Sequence, residues 1–181
     1  PLDMTKDMGA GAFENPYRWR PLTWEVDGVT YCNERATATQ QTGFVFVAQA
    51  RSWLPDPVGG IFWFGLDDAA STVFTPMYCG ITEVPESYAV GNGSMMEFSF
   101  DAAFWVYNLV SNFAYTRFRD MIPDVQQVQN GLESHFATAI PAMDQAAVAL
   151  YKQNSEQAIE LITDLSLNAQ AKTFKEWKSL Y

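Results

Sequence analysis

The chain contains 181 residues, of which 48% are hydrophobic and 18% are charged. This composition can bury the core of one domain, so it excludes an intrinsically disordered segment. The 21 acidic residues outnumber the 11 basic residues, and the net charge of -10 repels phosphate backbones, which excludes nucleic acid as a partner. The longest apolar runs, such as residues 43–48, have the length of a strand, so no membrane span is predicted.

Residues 17–100 show the pattern of an antiparallel meander. Residues on both sides of Asp27-Gly28 read as strands, and this dipeptide is typical of the two-residue turn of a hairpin. Residues 42–52, 61–64 and 71–75 are rich in β-branched and aromatic side chains, which predicts three further strands. The run 44–47 has no polar position, which predicts a strand buried on both faces.

Residues 101–181 change to the three- and four-residue apolar spacing of helices. Ser99 is predicted to cap the first helix and Pro123 to open the second. Pro141 is predicted to break or restart that second helix. Asn154 and Asn168 are predicted to cap the last two helices.

Strands followed by helices predict an α+β fold. We expect a single, partial domain with a loop-like segment at 1–16, a mainly β part at 17–100 and a mainly α part at 101–181. The sequence starts at Pro1 and stops at Tyr181 inside a helical pattern. We therefore interpret it as a piece of a longer or processed protein.

The sequence contains no pattern that is typical of a metal, nucleotide or serine-hydrolase site. His135 is the one histidine, and Cys32 and Cys79 are 47 positions apart with no histidine beside either. We interpret both cysteines as small buried hydrophobic residues. We interpret Asp67-Asp68 as a pair of residues that favours the turn between two strands and has no catalytic role.

Three polar side chains follow predicted strands and are candidates for substrate binding. Arg51 comes directly after the strand at 42–50, and Asn33 and Arg35 follow the strand that ends at Cys32. A guanidinium in such a place can bind a carboxylate in bidentate fashion. The alternative is a salt bridge within the fold.

The aromatic residues, 15% of the chain, allow a second class of function. Trp19, Trp24, Trp53 and Trp63 are candidates for a stacking platform that binds sugars or peptides. The alternative is that they fill the core and interfaces.

Eight stretches together carry a family resemblance: residues 16–31, 33–37, 40–49, 51–57, 59–65, 75–80, 111–115 and 173–178. In these stretches the chain resembles the C-terminal part of bacterial cysteine dipeptidases, which belong to the N-terminal-nucleophile (Ntn) hydrolase superfamily. The resemblance covers nearly the whole chain.

The resemblance implies a four-layer αββα sandwich in which a cysteine at the mature N-terminus attacks the peptide carbonyl and its own α-amine acts as the base. It implies dipeptide substrates and no metal or organic cofactor. The antiparallel strands would then be part of the sandwich, and the C-terminal helices would cover one face or form a homo-oligomer interface.

This sequence has no N-terminal cysteine, because Pro1 stands there. We therefore expect the nucleophile in an N-terminal remainder of the same protein and no activity from this chain by itself. Two alternatives stay open: an Ntn acylase acting on another amide, such as a penicillin or a bile-salt conjugate, and a non-catalytic aromatic binding module for sugars or peptides.

Overall fold

The computed structural model describes residues 3–6, 8–17, 22–34 and 37–181, and it describes only the backbone of residues 8, 22, 33 and 34. Within these residues, strands precede helices and all strand pairing is antiparallel, so the α+β prediction is confirmed. Two separate sheets form: a hairpin of two strands and a sheet with the order β3-β4-β5. The strands are β1 (Leu22–Val26), β2 (Val29–Glu34), β3 (Phe44–Ala50), β4 (Gly60–Leu66) and β5 (Thr75–Tyr78).

The hairpin turn forms where its dipeptide predicts it. Asp27 and Gly28 have φ angles of 52° and 77°, so both lie in the left-handed region that a two-residue hairpin turn requires. Across the ladder, Trp24 stacks on Tyr31 with 5.8 Å between ring centroids.

Two strand predictions need correction. The last strand lies at Thr75–Tyr78 rather than at 71–75, because the Ser71 hydroxyl bonds to Asp68 at 3.0 Å and holds the preceding residues in a loop. β3 is also not buried on both faces, since Phe46 and Val47 are 49% and 53% exposed. Among the described strands β3 has a neighbour on one edge alone, and the helices do not reach its outer side.

Four helices follow or interrupt the strands: α1 (Asp56–Gly59), α2 (Ala103–Thr116), α3 (Phe118–Tyr151) and α4 (Ser155–Lys178). Asn154 caps α4 as predicted, because its Oδ1 accepts from the backbone N–H groups of Glu156 and Gln157 at 3.1 and 3.2 Å. Ser99 does not cap α2, which begins after Ala102. The Ser99 hydroxyl instead bonds to a nearby backbone N–H in the preceding turn.

The predicted breaks inside the last two long helices are wrong. Pro123 and Pro141 lie within α3, and Asn168 lies within α4. A proline inside a helix costs about 3 kcal/mol, whereas each large apolar side chain buried along α3 contributes about 1.5–3 kcal/mol. α3 buries the large side chains of Ile122, Val125, Leu132, Phe136 and Ile140. Beyond Pro141 it continues with the buried Ala147 and the partly buried Met143 and Val148, so apolar packing extends on both sides of each proline.

Helix α4 runs along β5 and joins it through hydroxyl groups. Ser166 Oγ accepts from the N–H of Tyr78 at 3.1 Å. Thr163 Oγ1 accepts from the N–H of Thr82 at 3.2 Å, just beyond the strand. About two turns beyond Ser166, Thr173 Oγ1 accepts from the Thr75 hydroxyl at 3.2 Å. The helix thereby covers this edge of the sheet.

Candidate functional site

The outer face of the three-stranded sheet is a continuous aromatic surface. Phe46 lies opposite Phe64 across the β3–β4 ladder, so both side chains point to the same side. The Phe62 ring bridges them, with centroids 4.8 Å from Phe46 and 5.5 Å from Phe64. Phe44 continues the row and is 59% exposed. We call these four phenylalanines the outer aromatic face, and an exposed apolar surface of this kind marks an interaction site.

The opposite face of the same sheet is already covered by helices. Ile61 and Tyr78 are buried and pack in one cluster with Ile140 of α3 and Ile162 of α4. Trp63, on the same side of β4, packs against this cluster as well. The sheet therefore has one layer of helices on its inner face, and its outer aromatic face is left without a comparable layer among the described residues.

Arg51 lies at the end of β3, where the sequence places it, and its guanidinium is 7% exposed. Its Nη1 pairs with the Asp144 carboxylate of α3. Its Nη2 donates to the carbonyl of Val58 at 2.6 Å, and its Nε donates to the carbonyl of Gly59 at 3.3 Å. These contacts use all three nitrogens, which favours the predicted alternative of a salt bridge within the fold. Substrate binding by Arg51 stays a prediction.

Asp144 also accepts from the hydroxyl of Tyr78, at 2.8 Å from its Oδ1. Burial raises the pKa of the Tyr78 hydroxyl well above its usual range, and the hydrogen bond and charge of Asp144 raise it further, while Arg51 partly opposes both. Tyr78 therefore stays protonated and donates to Asp144. The result is a closed network between β3, β5 and α3.

A cavity of about 500 Å³ opens beside this network between the inner side of the sheet and α3. Its walls include Gln49, Arg51, Trp53, Trp63, Pro141 and Asp144. Two of the four tryptophans considered for a stacking platform meet here, whereas Trp24 stacks within the distant hairpin and Trp19 lies outside the described residues. The Trp63 indole N–H donates to Gln49 at 3.0 Å, so this ring is held by the fold.

The side chains of the other two predicted binding residues lie outside the described part of the chain. Asn33 belongs to β2 of the separate hairpin, and its side chain lies outside the described residues. Arg35 lies outside the described residues altogether. Their predicted role stays a prediction.

Both cysteines are free thiols and exposed, which corrects their interpretation as buried residues. Cys32 lies on β2 of the hairpin. Cys79 follows β5, and its N–H donates to the carbonyl of Gly60 at 2.9 Å. Both are internal, so neither carries the α-amine that an N-terminal nucleophile uses as its base.

The Asp67-Asp68 pair has a larger structural role than a surface turn. Asp67 is 3% exposed and has a φ of 63°. Its carboxylate accepts from Asn108 Nδ2 at 2.9 Å and from the hydroxyl of Ser111, both on α2. The signal that sequence reasoning missed was Ser111, which lies within the resemblance stretch 111–115 and reaches 44 positions back to this turn.

Asp68 is fully buried beside the same helix. Burial raises the pKa of its carboxyl group, although the Ser71 hydroxyl, which donates to it at 3.0 Å, and the nearby polar groups of Tyr115, Ala70 and Tyr17 oppose this effect. The Tyr17 and Tyr115 rings meet edge to face at 5.1 Å, and Asn15 Nδ2 donates to the Tyr115 carbonyl at 2.9 Å, so the N-terminal segment packs on α2 beside Asp68.

Asp68 is expected to make the chain less stable as the pH rises. A carboxyl group whose pKa is higher in the folded than in the unfolded state, where it is about 3.9, contributes stability below that value and loses it as the pH rises through the folded pKa. Urea unfolding above pH 4 should therefore show a decrease in wild-type stability that Asp68→Asn lacks. The exposed control variant Asp164→Asn should keep the decrease, and an unchanged profile for Asp68→Asn would contradict the assignment.

Neither a cluster of metal ligands nor a membrane-spanning helix occurs in the described part of the chain. It contains no group of three or more His, Cys, Asp and Glu side chains that could hold a metal ion. None of its helices combines the length and the hydrophobicity needed to cross a bilayer.

Comparison with known proteins identifies a family. The model of peptidase family C69 matches residues 2–131, which include both sheets, α2 and the first part of α3. No curated protein matches the chain.

Proposed function

The chain belongs to peptidase family C69, the cysteine dipeptidases of the Ntn-hydrolase type, and from this premise we propose that the protein hydrolyses dipeptides through an N-terminal cysteine outside this sequence. Membership makes the protein a cysteine-type peptidase and hence a hydrolase. The dipeptide specificity and the position of the nucleophile are the proposed part.

The outer aromatic face is the observation that carries this proposal. A sheet with helices on one face and a row of phenylalanines on the other, of which Phe44 and Phe46 are 59% and 49% exposed, supports a sandwich, because β-sheets bury their apolar faces against a second layer. We propose that a second sheet of the same protein packs here and completes an αββα arrangement. The C-terminal helices then form one outer layer.

The nucleophile is proposed to lie outside this sequence because neither cysteine fits the role. An N-terminal nucleophile attacks the peptide carbonyl as a thiolate, transfers its proton to its own α-amine and passes through a thioester that water hydrolyses. Cys32 and Cys79 are internal, and Cys32 lies on β2 of the hairpin whereas Cys79 follows β5 of the other sheet. The parent enzyme would bring its N-terminal cysteine to the sheet through the polypeptide that covers the outer aromatic face.

The purified 181-residue chain is expected to hydrolyse no dipeptide above the buffer rate, whereas the parent protein should hydrolyse dipeptides with free termini. Release of amino acids from a dipeptide panel measures both. Replacing the parent's N-terminal cysteine with serine should abolish its activity, and Cys32→Ser and Cys79→Ser should retain it. Hydrolysis by this chain that depends on Cys32 or Cys79 would refute the proposal.

An acylase acting on another amide is the alternative within the same superfamily. The same assay separates the two when acylated amino acids replace the dipeptides. Faster cleavage of the acylated compounds would assign the protein to the acylases.

A further inference from the structure

The chain contains two Asn-Gly dipeptides, and the fold places them in different backbone environments. Asn92-Gly93 lies in the loop that leads from the short 3₁₀ turn Glu86–Tyr88 to α2. Asn130-Gly131 lies within α3. An asparagine before glycine can lose ammonia when the backbone nitrogen of the glycine attacks the side-chain amide, because glycine has no side chain to hinder the approach. The two dipeptides therefore differ in reactivity only through their conformation.

Asn92 closes the segment of residues 86–101, which we call the 86–101 loop. Its Nδ2 donates to the carbonyl of Glu86 at 2.7 Å and to the carbonyl of Asp101 at 3.1 Å. These acceptors lie six positions before Asn92 and nine positions after it. One side-chain amide therefore joins the two ends of the loop, and it does so with both of its N–H donors.

Gly93 is required at its position for two separate reasons. Its φ of 89° lies in the region that favours glycine. A Cβ atom at this position would lie 2.7 Å from the Cβ of Ala102, so a larger residue would displace the start of α2. The N–H of Gly93 donates to no backbone carbonyl in the described part of the chain. The loop thus needs this glycine and leaves its nitrogen without a backbone acceptor.

We propose that Asn92 is a site of spontaneous deamidation. The Gly93 nitrogen gives its proton to solvent and forms a bond to Cγ of Asn92, and the Cγ–Nδ2 bond breaks as ammonia leaves with a proton from solvent. The product is a succinimide ring. Water then opens the ring at Cγ to give aspartate, or at the main-chain carbonyl carbon to give isoaspartate. Water is the co-reactant, and the chain gains a negative charge at neutral pH.

The contacts of Asn92 slow this reaction but do not prevent it. Loss of ammonia breaks the hydrogen bonds to Glu86 and Asp101, so the reaction requires a local opening of the loop. Asn92 should consequently react more slowly in the folded chain than in an unstructured peptide of the same sequence. Loop openings of this kind cost far less than unfolding of the whole chain.

Asn130 is protected by its helix. Within an α-helix the N–H of Gly131 is bonded to the carbonyl four residues earlier, and side chains point back toward the helix N-terminus, away from the following nitrogen. Asn130 is exposed whereas Asn92 is half-buried, so exposure alone would give the opposite order. The backbone conformation therefore decides which dipeptide reacts.

Deamidation should open the 86–101 loop. A carboxylate at position 92 has no N–H to donate, and its oxygens would face the carbonyl oxygens of Glu86 and Asp101. The cavity of about 810 Å³ beside the loop is already lined by Glu83, Glu86 and Asp101. Residues 52–116 contain no basic residue, and the cation near Asp101 is Lys178, at 3.8 Å. The added charge therefore increases the repulsion in this part of the molecule.

Incubation of the 181-residue chain in warm, mildly alkaline buffer tests the site. This inference goes beyond the proposed function, and its test needs no catalytic activity. Cleavage by a glutamate-specific protease after Glu86 and Glu97 releases residues 87–97, which contain Asn92, and cleavage after Glu133 releases residues 98–133, which contain Asn130. Mass spectrometry should show the exchange of NH for O at Asn92 first, and at Asn130 about tenfold more slowly or not at all.

Two references calibrate this measurement. A synthetic peptide of residues 87–97 gives the rate without the fold and should react faster than Asn92 in the chain. Asn92→Gln keeps an amide donor, but its longer side chain would have to close a larger ring. This variant should leave residues 87–97 unmodified while circular dichroism shows that the chain stays folded.

The variant Asn92→Asp tests the effect on the loop. It carries the product of deamidation from the start, so brief digestion of the folded chain by chymotrypsin after Tyr88 or Phe98 should be about tenfold faster than in the wild type. Asn130→Asp is the matched control, which adds the same charge on α3 and should leave this cleavage rate unchanged.

The proposal is overturned if residues 87–97 of the chain stay unmodified after the synthetic peptide has reacted completely. Reaction at Asn130 as fast as at Asn92 would also overturn it, because the backbone conformation would then not decide the site. Cleavage of Asn92→Asp at the wild-type rate would contradict the opening of the loop.

Discussion

Arg51→Met is expected to lower the free energy of unfolding of the chain by about 3–5 kcal/mol. The substitution leaves the largely buried Asp144 carboxylate with Tyr78 as its remaining side-chain partner. It also removes the guanidinium donor of the Val58 carbonyl and leaves the Gly59 carbonyl with the backbone N–H of residue 51 alone. Urea unfolding followed by tryptophan fluorescence measures the loss.

A double-mutant cycle shows whether the loss comes from the ion pair. Asp144→Leu alone should cost a similar amount, because it leaves the guanidinium buried without a counter-charge. The double variant R51M/D144L should cost clearly less than the sum of the two single changes, since no unpaired charge stays buried. Additive losses would show that the pair contributes little and that packing explains the effect.

The same substitution in the parent enzyme separates the two interpretations of Arg51. If Arg51 is structural, as its contacts favour, Arg51→Met should change KM for dipeptides and for their C-terminally amidated analogues to the same extent. A rise in KM of tenfold or more for dipeptides alone would show that the guanidinium binds the substrate carboxylate. That outcome would restore the substrate-binding prediction.

Phe44→Ala is expected to be nearly neutral in this chain and costly in the parent enzyme. The ring is 59% exposed here and contacts mainly Phe64, at 6.1 Å between centroids. In a completed sandwich the same ring would lie between two sheets, where loss of a buried phenylalanine costs about 3–5 kcal/mol. Unfolding by urea of both proteins, with and without the substitution, measures the difference.

Phe136→Ala is the matched control for that comparison. Its ring is 2% exposed and belongs to the core between the helices. Its loss should therefore cost a similar amount in both proteins. Equal effects of Phe44→Ala in the two proteins would contradict the sandwich, because the outer aromatic face would then be no more buried in the parent.

Local chemistry accounts for the elements that could be predicted. Asp27-Gly28 adopts the two positive φ angles of a hairpin turn, and Asn154 caps α4 with its own side chain. In both cases the deciding interaction lies within three residues of the chain. Such interactions are present in the sequence pattern itself, so the prediction needs no knowledge of the fold.

The predictions that failed concern elements whose boundaries depend on packing between segments that are distant in the sequence. Pro123 and Pro141 are helix breakers by local rules, yet α3 runs through both because its apolar stripe packs on the sheet and on α4. The same kind of packing carries α4 past Asn168. The energies that decide these boundaries come from surfaces that are distant in the sequence.

In the candidate site, too, the positions of single residues were predicted, whereas their partners on distant helices were not. The strand-end position of Arg51 was predicted, but its partner Asp144 lies 93 positions later on a helix. Asp67 was interpreted as a turn residue, although α2 supplies Asn108 and Ser111 to its carboxylate. No spacing rule connects such residues, because their contact depends on how the helices pack on the sheet.

By itself, the sequence determined the α+β class, the family resemblance, the hairpin turn and the cap of α4, since all of these depend on composition or on neighbouring residues. Only the tertiary structure decided that β3 has one neighbour among the described strands, that four phenylalanines line the same face of the sheet and that Arg51 is held by Asp144. The physical reason is that burial and charge pairing depend on which surfaces meet, and strands and helices far apart in the chain meet only in the folded protein.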